Sequence, residues 1–95
     1  MLNMDAIQRT VREAVSGYPV RRVELFGSYA AGTATDKSDV DFLVEFSNSP
    51  SPLLDLLGFQ ERLIELFNME VDVVKLPLKQ NSELIIENRV CVYEA

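Results

Sequence analysis

Residues 39–46 have the alternating pattern of a strand with two different faces, one opening with acids and the other apolar. Asp39 and Asp41 share a face because successive side chains of a strand point to opposite sides, and their Cα atoms lie roughly 7 Å apart. The opposite face is predicted to be buried, and it consists of Val40, Phe42, Val44 and Phe46. Two like charges at this separation repel each other unless a cation lies between them. The segment therefore predicts a strand that carries a divalent-metal site.

A glycine–serine turn, Gly27-Ser28, directly follows a predicted strand over residues 20–26. Gly27 allows the backbone to approach a phosphate closely, and Ser28 offers a hydroxyl and a backbone N–H. Gly32 suits the left-handed conformation that closes such a turn. The sequence contains neither Gly-Lys-Ser/Thr nor G-x-G-x-x-G, so a P-loop or dinucleotide fold is not indicated. A phosphate-binding turn near a metal site indicates nucleotidyl or phosphoryl transfer.

A third acid is expected on a neighbouring strand, because two-metal transfer needs carboxylates that share cations roughly 4 Å apart. Asp72 is the best choice, since it is placed between valines in a predicted strand over residues 70–74, where a bare carboxylate is costly to bury. Glu70 lies on the same predicted face and is the rival, although its place at the strand start allows easy solvation. We therefore expect Asp72 to join Asp39 and Asp41.

The composition restricts the chemistry and the location. Because the chain has no histidine, catalysis has to use carboxylates and cations that prefer oxygen ligands. The formal net charge is −6, and the densest basic segment is Arg21-Arg22, which disfavours stable nucleic-acid binding. The single cysteine, Cys91, excludes an intramolecular disulfide and is typical of a reducing compartment. No membrane span or secretory signal is apparent, so a cytoplasmic location is predicted.

The pattern of the 95 residues predicts one domain over residues 1–95, with an α/β fold in which helices pack against a small mixed β-sheet. The predicted elements are a helix over 6–15, strands over 20–26 and 39–46, a helix over 53–67, a strand over 70–74, a short helix over 82–88 and a strand over 90–93.

Two helix boundaries and one apolar face are specific enough to be checked. Asp5 is predicted to cap the first helix, and Asn68 to end the long one. The long helix is predicted to face the core, and any apolar area that the sheet leaves uncovered would be a partner surface. Its apolar positions are Leu53, Leu56, Leu57, Leu63, Ile64 and Phe67.

The turn Gly27-Ser28, the run Ser38-Asp39-Val40-Asp41 and the later Asp72 together resemble the DNA polymerase β-type nucleotidyltransferase superfamily. The short chain is most similar to the minimal nucleotidyltransferases of that superfamily. The resemblance implies a polymerase β-like fold, ATP as the donor and two Mg²⁺ ions. It also implies that the three aspartates are catalytic metal ligands, with Asp72 activating the nucleophile. Gly27, Ser28 and Ser38 would contact the nucleotide.

The resemblance also implies a partner. Minimal nucleotidyltransferases are commonly encoded beside a HEPN-domain protein, and the pair is similar to toxin–antitoxin systems in which the transferase places AMP on a tyrosine of the HEPN ribonuclease. Two alternatives stay open at this point. The chain could modify a small molecule such as an aminoglycoside, which requires a second domain or a homodimer, or it could neutralise its partner by binding alone.

One departure from the family pattern concerns the triphosphate. Many relatives carry arginines at the positions of Tyr29 and Ala31, and this chain has none there. Contacts to the triphosphate would then come from Ser28, from the backbone or from Lys37.

Overall fold

One four-stranded mixed sheet organises the chain in the computed structural model, which describes residues 2–76 and 88–95. The strand order is β3-β2-β1-β4, with β1 antiparallel to β2 and β4, and β2 parallel to β3. The predicted α/β fold is confirmed, whereas the helix predicted over residues 82–88 lies outside the described residues apart from Asn88. In chain order the elements are α1 Met4–Ala14, β1 Val20–Phe26, α2 Gly27–Ala31, β2 Val40–Phe46, α3 Pro52–Phe67, β3 Val71–Leu76 and β4 Val90–Glu94.

The hydrophobic core lies between one face of the sheet and helices α1 and α3. From the sheet it takes Val23 and Leu25 of β1 and the even-numbered positions of β2 from Val40 to Val44, as the alternation predicts. The rings of Phe42 and Phe67 pack with centroids 5.9 Å apart, which joins β2 to α3. Because this face is covered, the odd-numbered side chains of β2 point to the opposite face.

Helix α1 begins two residues earlier than predicted. Its N-cap is Asn3, whose Oδ1 accepts a hydrogen bond from the backbone N–H of Ala6 at 2.8 Å. The prediction that Asp5 caps the helix is therefore wrong. Asp5 lies in the first turn of the helix, and its carboxylate pairs with Arg9 at 3.5 Å instead of capping the helix.

Helix α3 packs on the core with part of its predicted apolar face, including Leu63 and Phe67. Its buried residues, Phe59, Leu63 and Phe67, are spaced four apart and form one stripe. At about 100° per residue, Leu53 lies only about 40° around the helix from Phe67 but in the first turn of α3, and Leu57 lies about 120° from the middle of the stripe. They are 67% and 50% exposed, so their assignment to the core is wrong, and they form an apolar patch with Leu54, which is 70% exposed. We call these three residues the leucine patch.

The predicted end of α3 is confirmed. Asn68 adopts a left-handed conformation with φ 55°, and its N–H donates to the carbonyl of Ile64 at 2.8 Å. Asparagine tolerates this conformation better than most residues do. The helix has 16 residues, and neither it nor the other described helices have the length and hydropathy that a bilayer crossing needs.

Candidate active site

Two of the three predicted aspartates stand side by side on neighbouring strands. In the parallel register of β2 and β3, Asp41 is directly opposite Asp72. Val40, Phe42 and Val71 are buried in the core, so the alternating aspartates point to the face that α1 and α3 leave free. The parallel pairing of two strands that are far apart in sequence therefore places these carboxylates together.

Asp39 completes the acidic group from a different position. Strand β2 begins at Val40, whose N–H donates to the carbonyl of Glu70 at 3.2 Å, so Asp39 lies just outside the strand and is exposed. Asp72 lies between valines in strand β3, as predicted, but it is exposed, so the burial cost expected for its carboxylate is absent. Strand β3 lies at the edge of the sheet, which explains the exposure. We call Asp39, Asp41 and Asp72 the acidic patch.

Within the acidic patch, Asp41 is half-buried and is repelled by the two neighbouring carboxylates. Partial burial raises the pKa of the Asp41 carboxyl above its usual range, and the neighbouring carboxylates of Asp72 and then Asp39 raise it further. A carboxylate that is both desolvated and beside like charges stabilises its ionised form poorly. The site therefore holds negative charge that a bound cation would relieve.

Gly27 lies against Asp41 at the point where β1 passes into α2. Its φ of +74° is a left-handed conformation that glycine adopts without strain. A Cβ atom at this position would collide with the Oδ2 atom of Asp41 and come within 3.1 Å of its Cγ atom. Glycine is thus required here both for the backbone turn and for the close approach to the carboxylate.

Ser28 and Ser38 occupy different kinds of position. Ser28 is the second residue of α2, next to the contact between Gly27 and Asp41, and its carbonyl accepts from Thr33 N–H at 2.9 Å. Helix α2 ends at Gly32 with φ 78°, as the sequence predicts. The Ser38 hydroxyl accepts a hydrogen bond from the N–H of Thr35 at 2.8 Å. In this structure Ser38 therefore orders the loop that leads into the acidic patch.

The acidic patch has the ligand chemistry that a hard divalent cation needs, although its side chains are not yet arranged as a complete set of metal ligands. Within residues 2–76 and 88–95, no three His, Cys, Asp or Glu side chains are already placed as a metal-binding group. Asp41 and Asp72 offer two adjacent carboxylates, and the exposed Asp39 lies just before β2. Carboxylate oxygens are the ligands that Mg²⁺ prefers.

The sequence reasoning missed a buried acid on the same face of the sheet. Glu24 is 8% exposed and pairs in register with Leu43, which shares the face of Asp41. Its two carboxylate oxygens contact the Nε atoms of Arg22 at 3.2 Å and Arg89 at 3.4 Å. The spacing of Arg22 and Glu24, two residues apart on one strand, was the available signal. These ion pairs hold Glu24 between two arginines on the face of the sheet that carries the acidic patch.

Comparison with protein families identifies the fold's relatives. Residues 7–91 match the family model of the nucleotidyltransferase domain. A candidate protein adenylyltransferase of Methanocaldococcus jannaschii is 38% identical over 73 residues, which are 77% of this chain and 77% of that protein. The protein adenylyltransferase MntA of Thermococcus cleftensis is 37% identical over 78 residues, which are 78% of each chain.

Solved structures agree with this assignment. A candidate minimal nucleotidyltransferase is 31% identical, with a TM-score of 0.64 and 78% of each chain covered. A toxin–antitoxin structure with AMP-PNP has a TM-score of 0.68 at 21% identity, covering 99% of this chain and 75% of the other. A tri-AMPylated HEPN toxin of Shewanella oneidensis in complex with its MNT antitoxin gives a TM-score of 0.59 at 17% identity, covering 97% and 70%. At 21% and 17% identity the likeness concerns the fold.

The family match, the adenylyltransferase relatives and the shared fold agree with the arrangement of the glycine–serine turn and the acidic patch. The chain belongs to the nucleotidyltransferase domain family and is a minimal nucleotidyltransferase.

Proposed function

We propose that this chain transfers AMP from ATP to a tyrosine hydroxyl of a HEPN-domain toxin and thereby acts as an antitoxin in the cytoplasm. The observation that carries the proposal is the side-by-side placement of Asp41 and Asp72, with Gly27 packed against Asp41 at the start of α2. This arrangement brings metal-binding oxygens next to a turn whose backbone can approach a phosphate.

The relatives support the choice of donor and acceptor. Two relatives are named as protein adenylyltransferases, one matching structure contains AMP-PNP, and another contains an AMPylated HEPN toxin. We extend these properties to this chain because its acidic patch and glycine–serine turn supply the groups that such a reaction needs.

Asp39 and Asp41 would hold two Mg²⁺ ions between them, and Asp72 would hold one of the two. When bound, such ions neutralise charge on the triphosphate and make the acceptor oxygen a better nucleophile. The raised pKa of Asp41 agrees with this assignment, because partial burial and two adjacent carboxylates leave a charge that suits a cation.

The residues of the chain have separate roles in the transfer. Asp72 orients the acceptor hydroxyl and accepts its proton, as its exposed position permits. The hydroxyl oxygen forms a bond to the α-phosphorus, and the bond from that phosphorus to the departing pyrophosphate breaks. Ser28 and the backbone around Gly27 stabilise the charge on the leaving phosphates. The contact between Gly27 and Asp41 fixes the distance between the glycine–serine turn and the acidic patch.

A protein acceptor is favoured over a small molecule by an exposed apolar surface on α3. The three side chains of the leucine patch, Leu53, Leu54 and Leu57, are at least half exposed on one side of α3. Contiguous exposed apolar side chains of this kind are typical of surfaces that another protein covers. We therefore expect the toxin to supply the walls of the acceptor site that this small domain lacks.

The test is transfer of label from ATP radiolabelled at the α-phosphorus, with the purified HEPN partner or an aminoglycoside as acceptor. We expect label on the toxin, loss of that label with Asp72→Asn, and retention of it with the control Glu70→Gln. Label on the aminoglycoside alone would contradict the choice of acceptor. A stable complex with no label on either molecule would show that the chain neutralises its partner by binding.

A further inference from the structure

An arginine is placed at the end of the sheet that carries the acidic patch. In the antiparallel pairing of β1 and β4, Leu25 is opposite Val90, so Arg89 lies next to Phe26 by continuation of this register. Phe26 is in turn opposite Asp41 on β2. Arg89, Phe26 and the paired carboxylates of the acidic patch therefore occupy one row across the sheet. Two strand spacings separate Arg89 from Asp41, which puts their Cα atoms roughly 10 Å apart.

The side chain of Arg89 points to the face of the sheet that carries the acidic patch. Its Nε atom is 3.4 Å from the Oε2 atom of Glu24, which lies on that face. Glu24 is a diagonal neighbour of Asp41 in the antiparallel pair, at a separation that long side chains span. The Arg89 side chain is 44% exposed, whereas that of Glu24 is 10% exposed. A buried acid thus anchors an arginine that solvent can reach.

The other arginine on Glu24 has a different position. Arg22 is opposite Glu45, at the far end of β2 from the acidic patch. It contacts two acids, Glu24 at 3.2 Å and Glu94 at 3.4 Å. Within residues 2–76 and 88–95, Glu24 is the one acid that pairs with Arg89. Arg89 is therefore nearer to the acidic patch, and its charge is less compensated than that of Arg22.

The chain around the glycine–serine turn supplies no positive charge of its own, because residues 27–36 contain no lysine or arginine. A nucleoside triphosphate carries several negative charges along its phosphate chain. Arginine suits phosphate because its planar guanidinium donates two parallel hydrogen bonds and is weakly hydrated. An acidic patch that suits a cation at one end of the row and an arginine at the other match a chain of phosphates lying across Phe26.

We propose that Arg89 is a catalytic residue that contacts the terminal phosphates of the donor, and that Glu24 is a positioning residue that holds Arg89 in place. The inference rests on the proposed function, because it takes a nucleoside triphosphate as the donor. The terminal phosphates leave as pyrophosphate when the bond to the α-phosphorus breaks. The guanidinium stabilises the negative charge that develops on them at that step.

The experiment compares the affinity of the full chain for AMP-PNP and for AMP, measured by titration calorimetry with Mg²⁺. We expect Arg89→Ala to bind AMP-PNP about tenfold more weakly or worse, since a hydrogen bond between charged groups has that effect. Its affinity for AMP stays at the wild-type value, because AMP lacks the terminal phosphates. The matched control is Arg22→Ala, which removes the other ion pair of Glu24 and keeps both wild-type affinities.

The role of Glu24 is tested in the presence and absence of Arg89. Glu24→Gln keeps the size of the side chain and removes its charge, so we expect weaker binding of AMP-PNP in the otherwise wild-type chain. In the Arg89→Ala background the same change has no further effect on AMP-PNP, because Glu24 acts through Arg89. A merely structural role of Glu24 would lower the affinity equally in both backgrounds.

Three results would overturn the inference. Equal losses of AMP-PNP affinity in Arg89→Ala and Arg22→Ala would trace the effect to an unpaired Glu24. Wild-type affinity for AMP-PNP in Arg89→Ala, with AMP transfer to the toxin continuing, would remove Arg89 from the site and leave the proposed function standing. If the wild-type chain does not bind AMP-PNP, the assignment of a nucleotide donor fails together with the inference.

Discussion

Replacement of Gly27 with alanine is expected to abolish AMP transfer and to lower the free energy of unfolding by about 2 to 5 kcal/mol. Part of this loss is the strain of a left-handed backbone at a residue with a Cβ atom, about 1 to 2 kcal/mol. The rest comes from the collision of that Cβ atom with the carboxylate of Asp41, for which overpacking costs of about 1 to 3 kcal/mol are typical. Because the collision displaces Asp41 from the acidic patch, we expect transfer to be lost even in molecules that still fold.

Gly32 provides a matched control for this substitution. Its φ of +78° is close to the +74° of Gly27, but a Cβ atom at Gly32 meets nothing within 4 Å. Gly32→Ala therefore carries the backbone strain without the collision, and we expect a loss of about 1 to 2 kcal/mol with transfer retained. Urea denaturation and the labelling assay measure both effects. Equal activity losses in the two variants would mean that the contact between Gly27 and Asp41 has no part in the reaction.

Substitution of Asp41 by asparagine is expected to reduce AMP transfer by about a thousandfold or more, since groups that act as a unit in a site show losses of this order. The same variant is expected to be at least as stable as the wild type when Mg²⁺ is removed with EDTA. The physical reason is that Asp41 is half-buried and repelled by Asp72 and Asp39, so its charge opposes folding. Mg²⁺ should stabilise the wild type and leave Asp41→Asn unchanged.

The pH dependence of this stability difference follows from the raised pKa of Asp41. Between the usual aspartate value, 3.8, and the higher value in the folded chain, the folded state binds more protons than the unfolded state does. Stability therefore falls as pH rises through this interval, by linkage. The metal-free wild type should match Asp41→Asn at acidic pH and fall below it at neutral pH. Thermal melts across this range test the sign, with the exposed Asp5→Asn as control. A marked loss of stability in Asp41→Asn at neutral pH would make Asp41 a structural residue.

The sequence alone predicted the features that depend on local patterns. The alternation of acids and apolar residues in β2, the left-handed Gly32 and the end of α3 at Asn68 all involve neighbours in the chain, so periodicity and turn chemistry were sufficient. The placement of Asp72 beside Asp41 was also anticipated, because two-metal transfer needs a third acid on a neighbouring strand and the family resemblance implies the same residue.

The features that the sequence could not provide depend on which surfaces meet. Leu53 and Leu57 look like core residues, yet the side of α3 that packs is fixed by Phe59, Leu63 and Phe67 meeting the sheet. The exposure of Asp72 follows from the position of β3 at the edge of the sheet, which a list of strands does not specify.

Two further features required segments that are distant in sequence. The burial of Glu24 depends on Arg89, which lies beside it only because β4 pairs with β1. A cavity beside α2 is assembled from four separate segments, including the N-terminal Leu2 and the end of α3. The spacing of Arg22 and Glu24 indicates one ion pair, but neither composition nor spacing predicts that these distant segments meet.

If the paired carboxylates of β2 and β3 drive transfer of AMP to a protein partner, the HEPN toxin is modified when it is co-expressed with this chain. The intact mass of the toxin after co-expression with the wild-type chain or with Asp72→Asn measures this modification. We expect a mass increase of one or more AMP units with the wild type and none with the variant. An unmodified toxin in the presence of the wild-type chain, or equal modification by both, would contradict this expectation.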